Sequence, residues 1–250
     1  MASVPMFLVD AATLATDPIR LGGAEGRHAA TVRRLRAGEA VALTDGAGGV
    51  AVGRVVAVDR AGLVCAVERR HAEPPASPRV VVVQALPKGD RAELAISSLT
   101  EVGVDVVVPW AAARSITRWS ADRAAKGLDR WRTAAQEATK QSRRAWLPDI
   151  RDLATTEEVA ALLAEAALPV VLHQSASQPL GAVRIPTDGD VVVVVGPEGG
   201  IDEAELAAFR AAGAEPVRMG PTVLRTSTAG TAAVAVLLSR TPRWDVASER

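Results

Sequence analysis

Two segments in the C-terminal third of the chain combine residue types that suit ligand binding. They are VVVVVGPEGGIDEAEL at residues 191–206 and MGPTVLRTSTAGTAAVAVLL at residues 219–238. Five consecutive valines have no polar face, which predicts a strand buried on both sides, as in a parallel sheet covered by helices. The Gly-Pro-Glu-Gly-Gly loop that follows allows positive φ and brings bare backbone N–H and C=O groups close to a ligand. A tight strand-to-helix turn without a ligand is the plainer alternative.

The residues that follow the glycine loop predict where the next helix begins and ends. The second segment contains a residue that could act on a substrate. Asp202 and Glu205 have capping-box spacing, and Gly213 suits the position just after the helix end. In the second segment, Arg225 carries a permanent charge and paired donors that fit a planar acceptor edge. A structural ion pair or an RNA phosphate contact remains an alternative for Arg225.

Composition excludes several classes of protein. The chain has 250 residues with 29 basic and 29 acidic side chains, so no overall field attracts nucleic acid or membrane, and any RNA site must be local. Cys65 is the single cysteine, and the three histidines lack metal-ligand spacing, so we expect neither a disulfide nor a metal. No basic leader or long apolar run is present, which predicts a cytoplasmic protein without a membrane partner.

The proline-rich stretch AEPPASP at residues 72–78 divides the chain into two patterns. We expect a small β-barrel domain at 1–72, a linker at 73–78 and a larger domain at 79–250. The first domain shows short β-like runs at 7–9, 41–43, 50–58 and 63–67, a hairpin turn at 44–49 and a helical stretch at 26–38.

After the linker, strand and helix patterns alternate. Residues 78–110 predict strand, loop, helix, a stop at Gly103 and a second strand, which is typical of a βαβ unit. Further strands are expected at 169–173, 190–195 and 215–218, and helices at 121–143, 155–167, 203–212 and 228–239. The last helix has almost no polar face, so we expect it to be enclosed by its own chain or pressed into a partner subunit.

Basic residues cluster locally despite the zero net charge. The arginines in and around the helical stretch at 26–38 face a single acid, Glu25, and residues 114–144 form a second basic set. The candidate RNA contacts are Arg27, Arg33, Arg34, Arg36, Lys88, Arg91, Arg114, Arg143 and Arg144. A solvated charged face is the alternative for each group. Trp119, Trp131 and Trp146 interleave with the second set, where a core or dimer-interface role is favoured over stacking on an RNA base.

Four motifs carry a resemblance to a known family. They are the GPEGG loop at 196–200, the segment Gly220–Ala229, the upstream QALPKGDR at 84–91 and RHAATVRRLRAGEAV at 27–41. Together they resemble the RsmE-type ribosomal RNA uridine N3-methyltransferases of the SPOUT superfamily. The resemblance implies an α/β fold, with a knotted parallel sheet flanked by helices after a PUA-like barrel. It also implies S-adenosylmethionine bound in a trefoil knot, a homodimer, and a uridine of 16S small-subunit ribosomal RNA as target, within an assembled 30S particle.

The resemblance also implies roles for residues of three loops. The expected cofactor contacts are Leu172, His173, Gly196, Pro197, Glu198, Gly199, Gly200, Ile201, Met219, Gly220, Pro221, Leu224, Thr226, Thr228 and Ala229. The apolar members would enclose the adenine while the backbone reads its edge. Glu198 lies near the ribose or caps a helix, and His173 is structural rather than catalytic. Arg225 is expected to be catalytic, by stabilising negative charge on the uracil oxygens.

One position departs from the family pattern. Many members carry Glu where this chain has Ser227, so a glutamate base is not expected here, and capping is the expected role of the serine.

Three alternatives to this function remain. The chain could be a non-catalytic RNA-binding protein that keeps the SPOUT fold, or a SPOUT methyltransferase acting on another nucleotide. The third, a nucleotide-binding oxidoreductase, is disfavoured because neither G-x-G-x-x-G nor GK[ST] is present.

Overall fold

The computed structural model of the protein describes residues 4–89 and 91–245, except for the side chains of residues 121 and 122. The chain forms two compact units. The first contains the residues up to Pro75 together with Gln136–Leu147, and the second contains Ala76–Ala135 and the residues from Pro148 onward. The domain limits expected at residues 1 and 250 lie outside the described residues. Nothing in the sequence pattern marked 136–147 as part of the first unit.

The first unit is built on a five-stranded sheet. Its strands are β1 (Met6–Leu8), β2 (Ile19–Leu21), β3 (Ala40–Thr44), β4 (Gly49–Asp59) and β5 (Gly62–Ala72), in the order β1-β3-β4-β5-β2. All neighbours are antiparallel except β1 and β3. The turn predicted at 44–49 joins β3 to β4, because Thr44 pairs with Val50. Two register shifts in the β4–β5 ladder increase its twist and help the sheet curve around one apolar core.

Short helices accompany this sheet. Helix α1 covers Ala11–Leu14, and α2 covers Gly23–Arg27 and continues into a wider turn at His28–Val32. The helix expected at 26–38 therefore begins earlier and ends earlier. It ends because Arg33 N–H donates to the carbonyl of His28, five residues back, and Arg34 then adopts a φ of 55°, which the α-helix does not allow.

One ion pair and one buried thiol mark the interior of the first unit. Lys140 Nζ lies 2.6 Å from Glu25 and 2.8 Å from Glu137. Burial acts to lower the pKa of Lys140, but the two carboxylates outweigh it and leave that pKa raised, so the lysine stays charged. Burial also raises the pKa of the Cys65 thiol to about 11, which keeps it protonated and unreactive.

The second unit is an α/β layer structure with a parallel sheet of six strands. These strands are β6 (Arg79–Ala85), β7 (Val106–Trp110), β8 (Asp149–Ile150), β9 (Leu168–Leu172), β10 (Asp190–Val195) and β11 (Glu215–Val217). Their order is β11-β9-β10-β6-β7-β8, and every neighbouring pair is parallel. The valines of β10 are all buried, as the apolar run predicted.

The described part of this unit holds four whole α-helices, which are α3 (Arg91–Val102), α5 (Thr156–Ala164), α6 (Glu203–Ala211) and α7 (Thr226–Leu238). A further helix, α4 (Ala121–Ser142), belongs to this unit as far as Ala135 and to the first unit from Gln136. Helix α5 packs against α6 and α7 against α3. Gly103 ends α3 with a φ of 106°, as predicted. In the described residues, no helix is long and apolar enough to cross a membrane.

Helix α7 is only partly enclosed by its own chain, which was one of the two arrangements expected for it. Val234, Leu237 and Leu238 are buried against the sheet, but Thr228 is exposed and Ala232, Ala235 and Val236 are only partly buried. Gly230 allows the close approach on the buried side, because a Cβ there would lie 3.1 Å from Leu99 and 3.3 Å from Val195. One apolar flank of α7 thus remains accessible, which keeps the partner-subunit alternative open.

Candidate functional site

A cavity of about 600 Å³ lies at the carboxyl edge of the parallel sheet. Three loops line it: residues 172–175 after β9, 196–201 after β10 and 217–226 after β11. These strands are neighbours in the order β11-β9-β10, so their ends meet at the same edge. A crevice beyond the carboxyl ends of parallel strands is where ligands bind in α/β sheets. Its volume is within the range of small-molecule sites.

Nearly all the predicted cofactor contacts meet in this cavity. Those that line it are Leu172, His173, Gly196, Pro197, Glu198, Gly199, Gly200, Ile201, Met219, Gly220, Pro221, Leu224, Thr226 and Ala229, and Arg225 lies among them. Thr228 does not line it. Its hydroxyl donates to the carbonyl of Arg225 at 3.3 Å, so it supports the first turn of α7 instead.

The glycine loop is shaped by close contacts that exclude larger side chains. A Cβ on Gly196 would lie 2.7 Å from Ile201, and one on Gly199 would lie 3.0 Å from the backbone oxygen of Arg114. Gly200 has a φ of 76°, which favours glycine. Gly196 and Gly199 therefore let the loop pack closely against Ile201 and Arg114, and the N–H of Gly200 donates to the carbonyl of Pro197 at 2.9 Å within the loop.

Glu205 anchors this loop from behind. The capping box predicted with Asp202 is confirmed, and Glu205 is 5% exposed. Its carboxylate accepts the N–H of Asp202 at 2.9 Å and, through the other oxygen, the N–H of Ala113 at 2.7 Å. Thr156 donates to the same carboxylate at 3.4 Å. One buried side chain thus joins the glycine loop to the segment that follows β7.

Arg114 adds a second link at the same place. Its guanidinium lies 2.9 Å from the carboxylate of Asp202, and it lines the cavity. The N–H of Ala204 and the charge of Arg114 hold the pKa of Asp202 below its usual value. Arg114 was predicted as an RNA contact; the structure places it at the cavity with an acidic partner, a pairing that the sequence did not indicate.

Glu198 has a partner that the sequence analysis did not consider. Its carboxylate accepts the backbone N–H of Lys88 at 3.2 Å. The GPEGG loop is therefore joined to the QALPKGDR segment, and Arg91 from that segment also lines the cavity. His173 accepts the N–H of Ser175 through Nδ1 at 3.4 Å, and this bond stabilises the turn after β9.

Arg225 and Ser227 lie at the start of α7. Arg225 occupies the N-cap position in an extended conformation, and its exposed side chain borders the cavity. Ser227 is 5% exposed and lies inside the first turn, so the capping position expected for it belongs to Arg225. The buried amide of Gln84, which the sequence analysis did not single out, donates to the carbonyl of Thr226 at 3.3 Å and helps to fix this turn.

The predicted RNA contacts are divided between the two units: Lys88, Arg91 and Arg114 are in the second, and the others are in the first. Arg27, Arg33, Arg34 and Arg36 are exposed in the first unit, which also holds Arg143 and Arg144. Acidic residues are closer than the sequence suggested, since Glu39 accepts the backbone N–H of Arg36 and Glu25 is engaged by Lys140. The second basic set, residues 114–144, is therefore divided between the two units.

The three tryptophans interleaved with that set have structural contacts. Trp131 is 2% exposed, and Trp119 meets its edge at a ring-centroid distance of 5.3 Å. Trp146 donates its indole N–H to the carbonyl of Glu73 at 3.0 Å. Among the described residues, no group of three or more His, Cys, Asp or Glu side chains is placed to hold a metal ion.

Comparison with known proteins assigns the family. A family model for an RNA methyltransferase domain matches residues 74–238, and one for an RNA methyltransferase PUA domain matches residues 21–68. The chain is 46% identical over 230 residues to the ribosomal RNA small subunit methyltransferase E of Mycobacterium tuberculosis, covering 90% of this chain and 88% of that protein. The chain belongs to this methyltransferase family.

Further relatives of the methyltransferase E family agree. The Bacillus subtilis protein of the same name is 29% identical over 83% of this chain and 84% of its own length. A crystal structure of the Neisseria gonorrhoeae enzyme bound to S-adenosylmethionine has a TM-score of 0.80 and 26% identity, covering 95% of this chain and 98% of that one. The predicted resemblance and the fold of a helix-flanked parallel sheet with a PUA-like domain are confirmed, while the knot stays a prediction.

Glu205 gives a testable consequence for this methyltransferase fold. Glu205→Gln replaces one oxygen of the buried carboxylate with an NH₂ group, so the N–H of Asp202 or of Ala113 loses its acceptor and the buried NH₂ group faces a donor. We expect the free energy of unfolding to fall by about 1–3 kcal/mol, the cost of leaving one buried polar group unpaired. Urea titration followed by tryptophan fluorescence measures it. Glu203→Gln, in the same helical turn but exposed, is the matched control; equal losses in both variants would contradict the anchoring role.

Proposed function

We propose that this chain binds S-adenosylmethionine in the cavity at the sheet edge and methylates N3 of a uridine in small-subunit ribosomal RNA. The observation that carries the proposal is the convergence of three strand-end loops on one cavity in a chain of the methyltransferase E family. The cofactor supplies an activated methyl group on a sulfonium. We also propose that these loops form the trefoil knot that the family resemblance implies.

The shape of the cavity supports cofactor binding through backbone. Half-buried Leu172 and Met219 and buried Ile201 are apolar groups that can enclose an adenine ring. The glycine loop lines the cavity without side chains at Gly196, Gly199 and Gly200, so its backbone can lie close to the polar edge of that ring. Glu198, which holds the Lys88 backbone, would then border the ligand while keeping the neighbouring loop in place.

Arg225, whose exposed side chain borders the cavity, is the proposed residue that acts on the uracil. N3 of uracil is a weak acid and a poor nucleophile until it loses its proton. A guanidinium beside the carbonyl oxygens stabilises the anion and lowers the pKa of N3, as fixed donors do for other developing anions. The methyl group passes to N3, the N3 proton passes to water, and the sulfonium becomes a neutral thioether. Water is assigned as the acceptor because the Ser227 hydroxyl is buried and a poor base.

The proposal is tested first on the RNA. Nucleoside mass spectrometry of small-subunit ribosomal RNA from a strain lacking the gene should show loss of 3-methyluridine, and the wild-type gene should restore it. Loss of a different methylated nucleoside would indicate another target. No loss, with RNA binding intact, would indicate a non-catalytic RNA-binding protein. Calorimetric titration with S-adenosylmethionine and with NAD separates the methyltransferase from an oxidoreductase.

The role of Arg225 predicts a separation between turnover and cofactor binding. Arg225→Lys keeps the charge but loses the paired donors, and we expect single-turnover methylation of small-subunit particles to slow by about 100-fold to 1,000-fold. The affinity for S-adenosylmethionine should change little. Ser227→Ala, two residues along the chain, is the control and should be mild by comparison.

The same variant has a distinct pH dependence. High pH ionises N3 without help from the enzyme, so the Arg225→Lys deficit should shrink as pH rises toward the intrinsic pKa of uracil. A deficit that is constant with pH, or a collapse of cofactor affinity, would place Arg225 in RNA positioning or in structure instead.

The PUA-like domain is proposed to bind RNA through charge. Arg33 and Arg34 are exposed on a segment that the PUA-domain model matches. Reversing both to glutamate should weaken binding of small-subunit particles and flatten its salt dependence, because fewer counterions are released. Cofactor affinity should be unchanged, and a parallel loss of cofactor binding would point to misfolding.

We further propose a homodimer that covers the accessible flank of α7. Ala235→Glu places a charge on this flank and should shift sedimentation at micromolar concentration from dimer to monomer. Ala207→Glu, on the exposed side of α6, is the matched control and should leave the dimer intact. A wild-type protein that sediments as a monomer would contradict the proposal. Cytoplasmic 30S particles are the proposed setting of the reaction.

A further inference from the structure

A second cavity, of about 370 Å³, lies in the second unit between residues 86–93 and the first half of α4. Two indole rings line it, those of Trp119 and Trp131, together with Arg130 and Glu93. This lining differs from that of the cavity at the sheet edge, which is built largely from glycine-containing loops. We call the second cavity the aromatic cleft and define it by Trp119, Trp131, Arg130 and Glu93.

The aromatic wall is held in one position by its neighbours. A Cβ on Gly127 would lie 2.5 Å from Cε2 of Trp119, so the indole rests directly against the helix backbone. Trp131 meets Trp119 edge to face at 74°. Trp131 is buried, whereas Trp119 keeps part of its surface exposed. A ring that is already fixed loses little conformational entropy when a planar ligand stacks on it.

The opposite wall belongs to the segment that also borders the cofactor cavity. The hydroxyl of Thr117 donates to the carbonyl of Pro87 at 2.9 Å and fixes this wall. Within the same segment, Lys88 N–H binds Glu198 of the GPEGG loop, and Arg91 lines the larger cavity. A ligand in the aromatic cleft would therefore be close, along this segment, to the proposed reaction site.

The charged residues around the aromatic cleft favour different parts of a nucleotide at different places. At about 100° per residue, Arg123, Lys126 and Arg130 lie along one flank of α4, beside the line through Gly127 that faces the cleft. All three side chains are exposed. Asp129 lies on the face of α4 away from Gly127, where it pairs with Arg132. Phosphates are attracted to the basic flank, while Glu93 repels them from the interior and can accept an N–H from a base edge.

We propose that the aromatic cleft binds one unstacked base of the RNA substrate, stacked on Trp119, with its phosphates on the Arg123, Lys126 and Arg130 flank. The proposal rests on the proposed function, since it supplies a second nucleotide contact beside the methylated uridine. Single-stranded RNA is commonly bound by stacking its bases on aromatic side chains beside a basic groove.

The test measures equilibrium binding of small-subunit particles from a strain lacking the gene, in the presence of S-adenosylhomocysteine. Trp119→Ala should weaken particle binding by about 5- to 100-fold, the range for loss of one base–aromatic stack. Trp119→Phe should recover most of the affinity. Ultraviolet crosslinking should join a single nucleotide to the peptide that contains Trp119. S-adenosylmethionine affinity should be equal in all variants.

Arg130→Ala and Arg132→Ala form a matched pair, because each removes one arginine from α4 but on opposite flanks. Only Arg130→Ala should weaken binding and reduce its salt dependence. Equal effects of the pair, or unchanged binding in Trp119→Ala, would overturn the proposal. Gly127→Ala, which displaces the indole and favours the helix, provides a second route to the same loss if Trp119→Ala does not fold.

Two further outcomes are distinguishable. If Trp119→Ala changes the sedimentation coefficient while particle binding is unchanged, the cleft is covered by a second copy of the chain and the proposal fails. If the wild-type protein binds particles through the cleft but transfers no methyl group, the proposed function fails while this inference stands, because the binding assay does not depend on turnover.

Discussion

The parallel pairing of β10 with both β6 and β9 is the constraint on which the site depends. Val191–Val195 are buried on both faces, and each can be accommodated only if helices cover the sheet on both sides. Parallel pairing then brings the ends of β9, β10 and β11 to one edge. The loops that leave this edge must turn sharply, and their backbone groups cannot be satisfied by further strand pairing. The cavity follows from that geometry.

Two buried polar side chains, Glu205 and Gln84, hold these loops in a fixed shape by hydrogen bonds to their backbone. The carboxylate of Glu205 accepts hydrogen bonds from the N–H groups of two different segments. The side-chain amide of Gln84 donates to the carbonyl of Thr226 at the start of α7. Both are polar groups in otherwise apolar surroundings, which is costly unless every partner is present. Because the hydrogen bonds of these side chains must be kept, Glu205 fixes the glycine loop relative to the segment after β7. In the same way, Gln84 fixes the start of α7, where Arg225 lies, relative to β6.

Sequence reasoning was most successful where a local pattern determines a local structure. The valine strand, the Asp202–Glu205 capping box, the hairpin turn at 44–49 and the Gly103 stop depend on neighbours within a few residues, and each appears in the structure. Nearly all the residues expected at the cofactor site meet at one cavity because the family motifs mark loops, and parallel topology brings loops together.

What the sequence could not show are contacts between distant positions. The pairing of Lys140 with Glu25 spans 115 residues, and the assignment of 136–147 to the first unit follows from such contacts rather than from any change in composition. The two-residue strand β8 is too short for a periodic signal. The sequence predicted that α7 is enclosed by its own chain or by a partner subunit, and the single chain covers only part of it. Hydropathy indicates which residues are buried, but not whether the same chain or a partner buries them.

The zero net charge of the protein has a physical consequence for how RNA is recognised. Without a strong overall field, long-range attraction to ribosomal RNA is weak, and binding must come from local groups at short range. Arginines that already pair with acids, such as Arg114 with Asp202, are partly neutralised and contribute less to phosphate binding. Selectivity then depends on contacts that charge alone does not provide, namely base stacking and hydrogen bonding at fixed positions. A protein of this composition is therefore expected to discriminate among RNA surfaces by shape and unstacked bases, which also limits non-specific binding to other nucleic acids.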